Sequence, residues 1–401
     1  MDHHRSHVYA ILLALVVTGG LLAAGVWYAR STEAQYIYAL APKRLAQKAV
    51  GQALACEAFR HADLLPVYGS SEFEMPDPYN ANKILLLYPT GFTIFPVADF
   101  AAQPLTFAQQ LASCATLLRG KKLVISLSPQ FFTGRYSPEA YAGNFSRLHG
   151  YSVLLGAGLE PSLRQRLARR MLDYPETLAG DPVLRLAAQS TAGGSVSTQV
   201  AYDLLFPLAS LEYKMLEGQD EFETLDLITN QPGLERVVPR RAAPVDWADL
   251  YRKAERAAQA RATNNPFGID NADWEAHRRE YLTYKGERAD RQFIKSLDSP
   301  AWDDLATLFL LLRAAGAHPL ILSIPFNGPF YDYTGVSAKA RQAYYDRLNA
   351  AVKPFGWPVV DLHEYEYDRY FLRDPGAHLS SKGWVVYTRA IDAFYHDGTL
   401  R

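Results

Sequence analysis

The stretch Ser299–Ile324, SPAWDDLATLFLLLRAAGAHPLILSI, decides the fold. Ser299 is a helix cap, Pro300 suits a first helical position, and Asp303 and Asp304 complement the positive end of the helix dipole. Arg313 falls in the last turn and Gly316 ends the helix. The unbroken apolar run Leu320–Ile324 follows at once, so a capped helix feeds a buried strand. Four further runs read the same way: Leu65–Tyr68, Ile84–Tyr88, Leu123–Leu127 and Val359–Leu362. None shows the polar alternation of a half-solvated strand, which predicts a parallel sheet covered on both faces. Thr106–Arg119, closed by Gly120, is a second helix, placed before the Leu123–Leu127 strand. Strands alternating with helices predict an open α/β sheet.

The chain has 401 residues, 49% of them apolar and 21% charged, the balance of a packed chain. Its 41 Lys+Arg against 42 Asp+Glu exclude a strongly basic nucleic-acid binder. Two cysteines, Cys56 and Cys114, exclude a disulfide-dense scaffold and a Cys-rich zinc site; they read as buried apolar residues, with a single pairing in an oxidising compartment as the alternative. No cofactor or metal is called for. Aromatic residues are abundant, 25 Tyr and 19 Phe among them, and most belong to the core.

From Val8 to Ala29 the chain carries no charge, and roughly 33 Å of helix would cross a bilayer core. Trp27 and Tyr28 then stand at the interfacial belt. The run outlasts that of a signal peptide and ends in Val-Trp-Tyr instead of small residues, so it reads as an uncleaved anchor. Counting Arg5 against Arg30, Lys43, Arg44 and Lys48 would place the C-terminal side in the cytoplasm. The expected organisation is a tail at 1–7, an anchor at 8–29 and a juxtamembrane connection at 30–60. An α/β domain fills 61–401, with a long, mainly helical insert at about 131–298. In the insert, Ser162–Leu172 and Trp247–Ala262 read as amphipathic helices and Ser190–Thr198 as a loop. Arg164, Arg166, Arg169 and Arg170 read as a solvated helix face, with anionic lipid headgroups or a phosphate polymer as the alternative partner.

The first strand runs into Gly69-Ser70-Ser71-Glu72, a serine where open α/β sheets place their sites. A serine nucleophile needs a base, and His378 in RDPGAHLSSKGW has Asp374 just upstream; His363 is a second candidate base.

Five longer segments carry a family resemblance: YGSSEF at Tyr68–Phe73, SPQFFT at Ser128–Thr133, NPFGID at Asn265–Asp270, LRAAGAHPLILSIPFNGPFYD at Leu312–Asp332, and HLSSKGW at His378–Trp384. Through them the chain resembles the DltD family of teichoic-acid D-alanylation, whose domain is SGNH/GDSL-hydrolase-like. The resemblance implies a three-layer α/β/α fold, Ser71 as nucleophile, His378 as base and Asp374 as third member. The family spaces acid and histidine as Asp-x-x-His, whereas here one more residue intervenes. The family holds the oxyanion with a glycine after the second strand, matched by Gly91, and an Asn after the third, where this chain has Gln130 as the donor in its place. The implied activity is transfer of D-alanine to a hydroxyl of an envelope polymer through a serine ester. A D-alanyl carrier protein and a membrane-bound O-acyltransferase are the implied partners; the resemblance also implies a cytoplasmic N-terminus with the domain outside the cytoplasmic membrane, and this placement is taken over that of the charge count. An esterase or carrier thioesterase using the same pair, or a non-catalytic scaffold, are the alternatives.

Overall fold

The computed structural model describes residues 2–41, 51–134, 136–237 and 241–397. The chain opens with α1 (Asp2–Leu40) and α2 (Gln52–Ala58), then β1 (Leu64–Gly69), α3 (Ala81–Leu87), β2 (Thr93–Ala98), α4 (Pro104–Ser113) and β3 (Lys122–Leu127). Eight helices intervene before the α13 that feeds β4. They are α5 (Pro138–Asn144), α6 (Arg147–Leu155), α7 (Pro161–Leu172), α8 (Pro182–Thr191), α9 (Val196–Asn230), α10 (Trp247–Arg261), α11 (Asn271–Thr283) and α12 (Asp290–Ser296). Then come α13 (Ala301–Ala315), β4 (His318–Ser323), α14 (Gly328–Thr334), α15 (Ala338–Val352), β5 (Val359–Val360) and α16 (Ser381–Asp397).

The five strands are parallel in the order β2-β1-β3-β4-β5. Side chains alternate between two cores, as strand geometry requires. Leu123, Ile125 and Leu127 face α4, α13 and α15 through Phe107, Leu308 and Tyr344, while Val124, Leu320 and Leu322 face α3 and α16 through Leu85, Trp384 and Ile391. The result is the expected three-layer α/β/α body, and α13 ends on Gly316 in the left-handed region at φ 71°. The helix expected over Thr106–Arg119 begins at Pro104 and gives way after Ser113 to a short turn, Ala115–Leu117.

One strand was expected in the wrong place. Ile84–Tyr88 lies in α3, whose start is capped by the Asn80 side chain on the Lys83 N–H, at 3.0 Å. A run of four or five apolar residues fits one helical turn as well as a strand. The strand is instead Thr93–Ala98, TIFPVA, and Pro96 is tolerated because β2 is the sheet edge.

The apolar helix also runs further than its apolar stretch. It continues to Leu40 without a breaker, and Ala29, Glu33, Ile37 and Leu40 are buried at helical spacing. Its most apolar window has a mean hydropathy of 2.2 and none of it is buried, so it is long and apolar enough to cross a membrane. Ser190–Thr198, expected as a loop, is mostly helix, with only 192–195 between α8 and α9. Three of the four α7 arginines are engaged within the body: Arg164 donates to the carbonyls of Leu154 and Gly156, Arg169 to Ala192, and Arg170 to Asp304.

Cys56 and Cys114 are joined by a disulfide, so the alternative holds and not the reading of two buried free cysteines. Packing of α2 against α4 brings together residues 58 apart in sequence, a proximity no local pattern announces. Closing that loop restrains the unfolded chain, so replacing both cysteines with alanine is expected to cost about 2–4 kcal/mol. Denaturant unfolding of the inserted protein checks this, with the midpoint falling and the slope little changed.

Candidate functional site

The site forms where β1 ends. Gly69 is required there, because a Cβ would lie 2.6 Å from Glu72 Oε1 and 2.7 Å from the Phe73 ring. The buried Glu72 carboxylate folds back to accept the Ser70 N–H at 3.0 Å, and the Ser70 hydroxyl donates to the Asp99 carbonyl at 3.2 Å. This fixes the turn that opens the short helix Ser71–Phe73 and leaves the Ser71 hydroxyl at the sheet's carboxyl edge.

Ser71 Oγ lies 2.9 Å from His378 Nε2, and His378 Nδ1 lies 2.7 Å from Asp374 Oδ2. The extra residue between acid and histidine is absorbed by a compact turn. Asp374 Oδ1 accepts the N–H groups of Gly376 at 2.8 Å and His378 at 3.3 Å. Ala377 takes the left-handed conformation at φ 63°. A side chain at Gly376 would stand 3.1 Å from that same carboxylate oxygen, so glycine permits the close approach while alanine carries the strain. Burial pulls the His378 pKa down, but the hydrogen bond and charge of Asp374, helped by Glu72, outweigh it and the net shift is upward.

The other segments that carry the resemblance brace this loop. In NPFGID, the Asn265 side chain accepts the N–H groups of Phe267 and Ile269, and Asp270 N–H donates to the Arg373 carbonyl at 2.8 Å. Gly268, at φ 70°, approaches Tyr370 so closely that a Cβ would be 2.9 Å from its nitrogen. Asn327, from FNGPFYD, donates to the Phe267 carbonyl. In HLSSKGW, Ser381 donates to the buried Asp77, which also accepts Arg261 at 2.7 Å. Asp77 thereby ties the segment after Ser71 to the start of α16, just past His378. Asp77→Ala is expected to cost on the order of 2 kcal/mol and to lower turnover more than substrate binding. Thermal unfolding and a kcat-against-KM comparison check it.

Of the remaining candidates, Gln130 follows β3 and donates one amide hydrogen to the Pro375 carbonyl at 3.2 Å, beside the acid–histidine loop. Gly91 is not brought to the site. It precedes β2 at the opposite edge of the sheet, near Ala242 and His396, because the strand thought to precede it is α3. The segment that follows the real β2 is Asp99-Phe100-Ala101, with Ala101 at φ 57° and the Phe100 carbonyl held by Asn144 at 2.9 Å. His363 pairs with Asp361 at 2.6 Å. Glu72 carries one local signal, an acid directly after a strand-end glycine turn, whereas no local pattern marks Asp77. No His, Cys, Asp and Glu group able to hold a metal occurs among the described residues.

The three-layer parallel sheet, with the Ser71–His378–Asp374 line at its carboxyl edge and an apolar helix ahead of it, defines an SGNH-hydrolase-like α/β protein with one candidate membrane helix. The chain belongs to the DltD family: the family model described as DltD protein matches residues 42–396. It is 31% identical over 337 residues to Protein DltD of Bacillus subtilis (strain 168), covering 84% of this chain and 83% of that one. It is 28% identical over 321 residues to Protein DltD of Staphylococcus aureus (strain NCTC 8325 / PS 47), covering 80% and 78%. The family takes part in the D-alanylation of teichoic acids.

Proposed function

We propose that this protein is a membrane-anchored acyltransferase that esterifies a teichoic-acid-like envelope polymer with D-alanine through Ser71. The observation that carries the reading is the 2.9 Å contact of Ser71 Oγ with a histidine already held by a carboxylate, in a chain of this family. Ser71 Oγ attacks the carbonyl carbon of an activated D-alanyl group, and its proton passes to His378 Nε2. The leaving group takes that proton as its bond to the acyl carbon breaks. In the second half, His378 accepts the proton of an acceptor hydroxyl, whose oxygen attacks the Ser71 ester. The new ester leaves and Ser71 recovers the proton. Asp374 orients the ring and stabilises the imidazolium. Gln130, anchored through one amide hydrogen on Pro375, presents the other to the developing oxyanion.

The donor is a D-alanyl carrier protein acting with a membrane-bound O-acyltransferase, and the acceptor is a polyol- or sugar-phosphate polymer. The N-terminus lies in the cytoplasm and the domain outside. The Cys56–Cys114 disulfide favours that orientation over the flanking charge count, because such bonds persist in oxidising compartments. Product analysis with the full chain in vesicles tests the reading. Polymer-bound D-alanyl ester that requires Ser71 supports it; free D-alanine alone would make the protein a hydrolase, and ester formation undiminished by Ser71→Ala would make it a scaffold.

A further inference from the structure

The long helix α9 carries an apolar stripe that the protein itself leaves uncovered. Val196, Val200, Leu204, Leu208, Leu211 and Met215 recur at spacings of three and four, one face of a helix, and each is between 48% and 77% exposed. The stripe covers roughly 29 Å of helix, and none of its six members is charged. The opposite face is committed to the body. Ala209 is fully buried, Tyr213 bonds Ser152, and α9 packs on α6 and α8. A contiguous apolar strip of this size on a protein surface marks an interaction site.

The same spacing continues to Gly218 and Phe222, and there the stripe comes against α1, with Phe222 still 38% exposed. Phe222 Cζ lies 2.8 Å from where a Cβ of Gly25 would be, and Val26 Cγ2 lies 3.9 Å from where a Cβ of Gly218 would be. Trp27 and Tyr28, both well exposed, follow directly at the aromatic end of the apolar helix. The uncovered stripe is thus continuous with the surface on which the membrane helix rests, and begins at the level of its interfacial residues. The α1 residues Val8, Leu12, Val16 and Leu22 are likewise exposed, as residues facing acyl chains would be.

We infer that α9 is an interfacial helix whose Val196–Met215 stripe lies in the membrane, with lipid as its occupant. An apolar helix face of this kind, its other side held by the protein, buries itself about 5–10 Å into the headgroup–acyl boundary. The body is then held to the bilayer at two places, by α1 through it and by α9 along it, and cannot pivot freely about a single tether. This inference rests on α1 crossing the membrane and is independent of the chemistry assigned to Ser71.

Fluorophores on Leu204→Cys and Leu211→Cys variants of the full chain, in vesicles of phosphatidylcholine and phosphatidylglycerol, test it. The native cysteines are paired, so the introduced thiol takes the label. Val16→Cys serves as the span reference and Lys353→Cys as the solvent reference. The expected result is that doxyl-labelled lipid quenches Leu204 and Leu211 labels severalfold more than aqueous iodide does, as at Val16, whatever the protein-to-lipid ratio. Iodide quenching like that at Lys353, with Val16 still lipid-quenched, would overturn the inference alone. Iodide quenching at Val16 as well would overturn the span with it. Shielding from both quenchers that fades on dilution into lipid would assign the stripe to a second copy and overturn the lipid assignment.

Discussion

Ser71→Ala is expected to lower D-alanyl ester formation by about a thousandfold or more while folding and membrane insertion are unchanged. The substitution removes a single oxygen whose hydrogen bond is to His378, on a residue that the fold leaves partly exposed. No core contact is lost, and the Gly69–Glu72 turn is held by backbone and carboxylate bonds that do not involve the Ser71 hydroxyl. His378→Ala is expected to fall to a similar level. The double variant should be no worse than either single one, because groups that act as a unit are not additive. Initial rates of ester formation, with thermal unfolding as the control, read both results.

Asp374→Asn is expected to change both the height and the position of the pH profile. The base must be uncharged to accept the Ser71 proton, so the rate rises with pH as His378 loses its proton. Burial alone would place that limb below the ordinary histidine pKa of about 6.5. The Asp374 hydrogen bond and charge, with the charge of Glu72, lift it above. With asparagine the burial remains and the largest opposing contribution is gone, so the limb moves to lower pH. The plateau falls by about 10²–10⁴, since the ring loses both its orienting acceptor and the charge that stabilises the imidazolium. A rate–pH series on the two proteins measures both changes. A lower plateau with an unmoved limb would mean that Asp374 does not set the His378 pKa.

The central strands were legible because a parallel sheet covered on both faces demands unbroken apolar runs, and Leu123–Leu127 and Leu320–Ile324 have them. The helix before β4 was legible because its caps are complete. Local pattern failed where one signal fits two structures. Ile84–Tyr88 is as apolar as a strand, yet Asn80 starts a helix there, while Pro96 disguises the true edge strand. That single exchange also sent Gly91 to the wrong end of the sheet. The cysteine pair and the Asp77 clamp depend on residues far apart in sequence, and no periodicity encodes them. A turn after a strand and an acid near a histidine are local features that mark the two neighbourhoods, but the choice of Ser71, His378 and Asp374 came from the family resemblance. That the three meet, with Ala377 in the strained conformation and not Gly376, required the folded chain.

The bracing of the acid–histidine loop explains why so many segments recur around one small site. Asn265, Gly268, Asn327 and Ser381 come from three separate stretches, and each fixes backbone within a few residues of His378 or Ser71, directly or through one partner. Preorganisation of this kind lets a short nucleophile–base contact exist before substrate arrives.

The most direct test of the central claim is to trap the acyl group on the enzyme. The full chain in vesicles is mixed with D-alanyl-loaded carrier protein and membrane O-acyltransferase without acceptor polymer, quenched in acid and mapped by peptide mass spectrometry. A D-alanyl adduct on Ser71 that hydroxylamine removes, and that vanishes in His378→Ala, is the predicted result. Polymer D-alanylation at full rate by a protein that never carries the adduct, or by Ser71→Ala, would contradict the account.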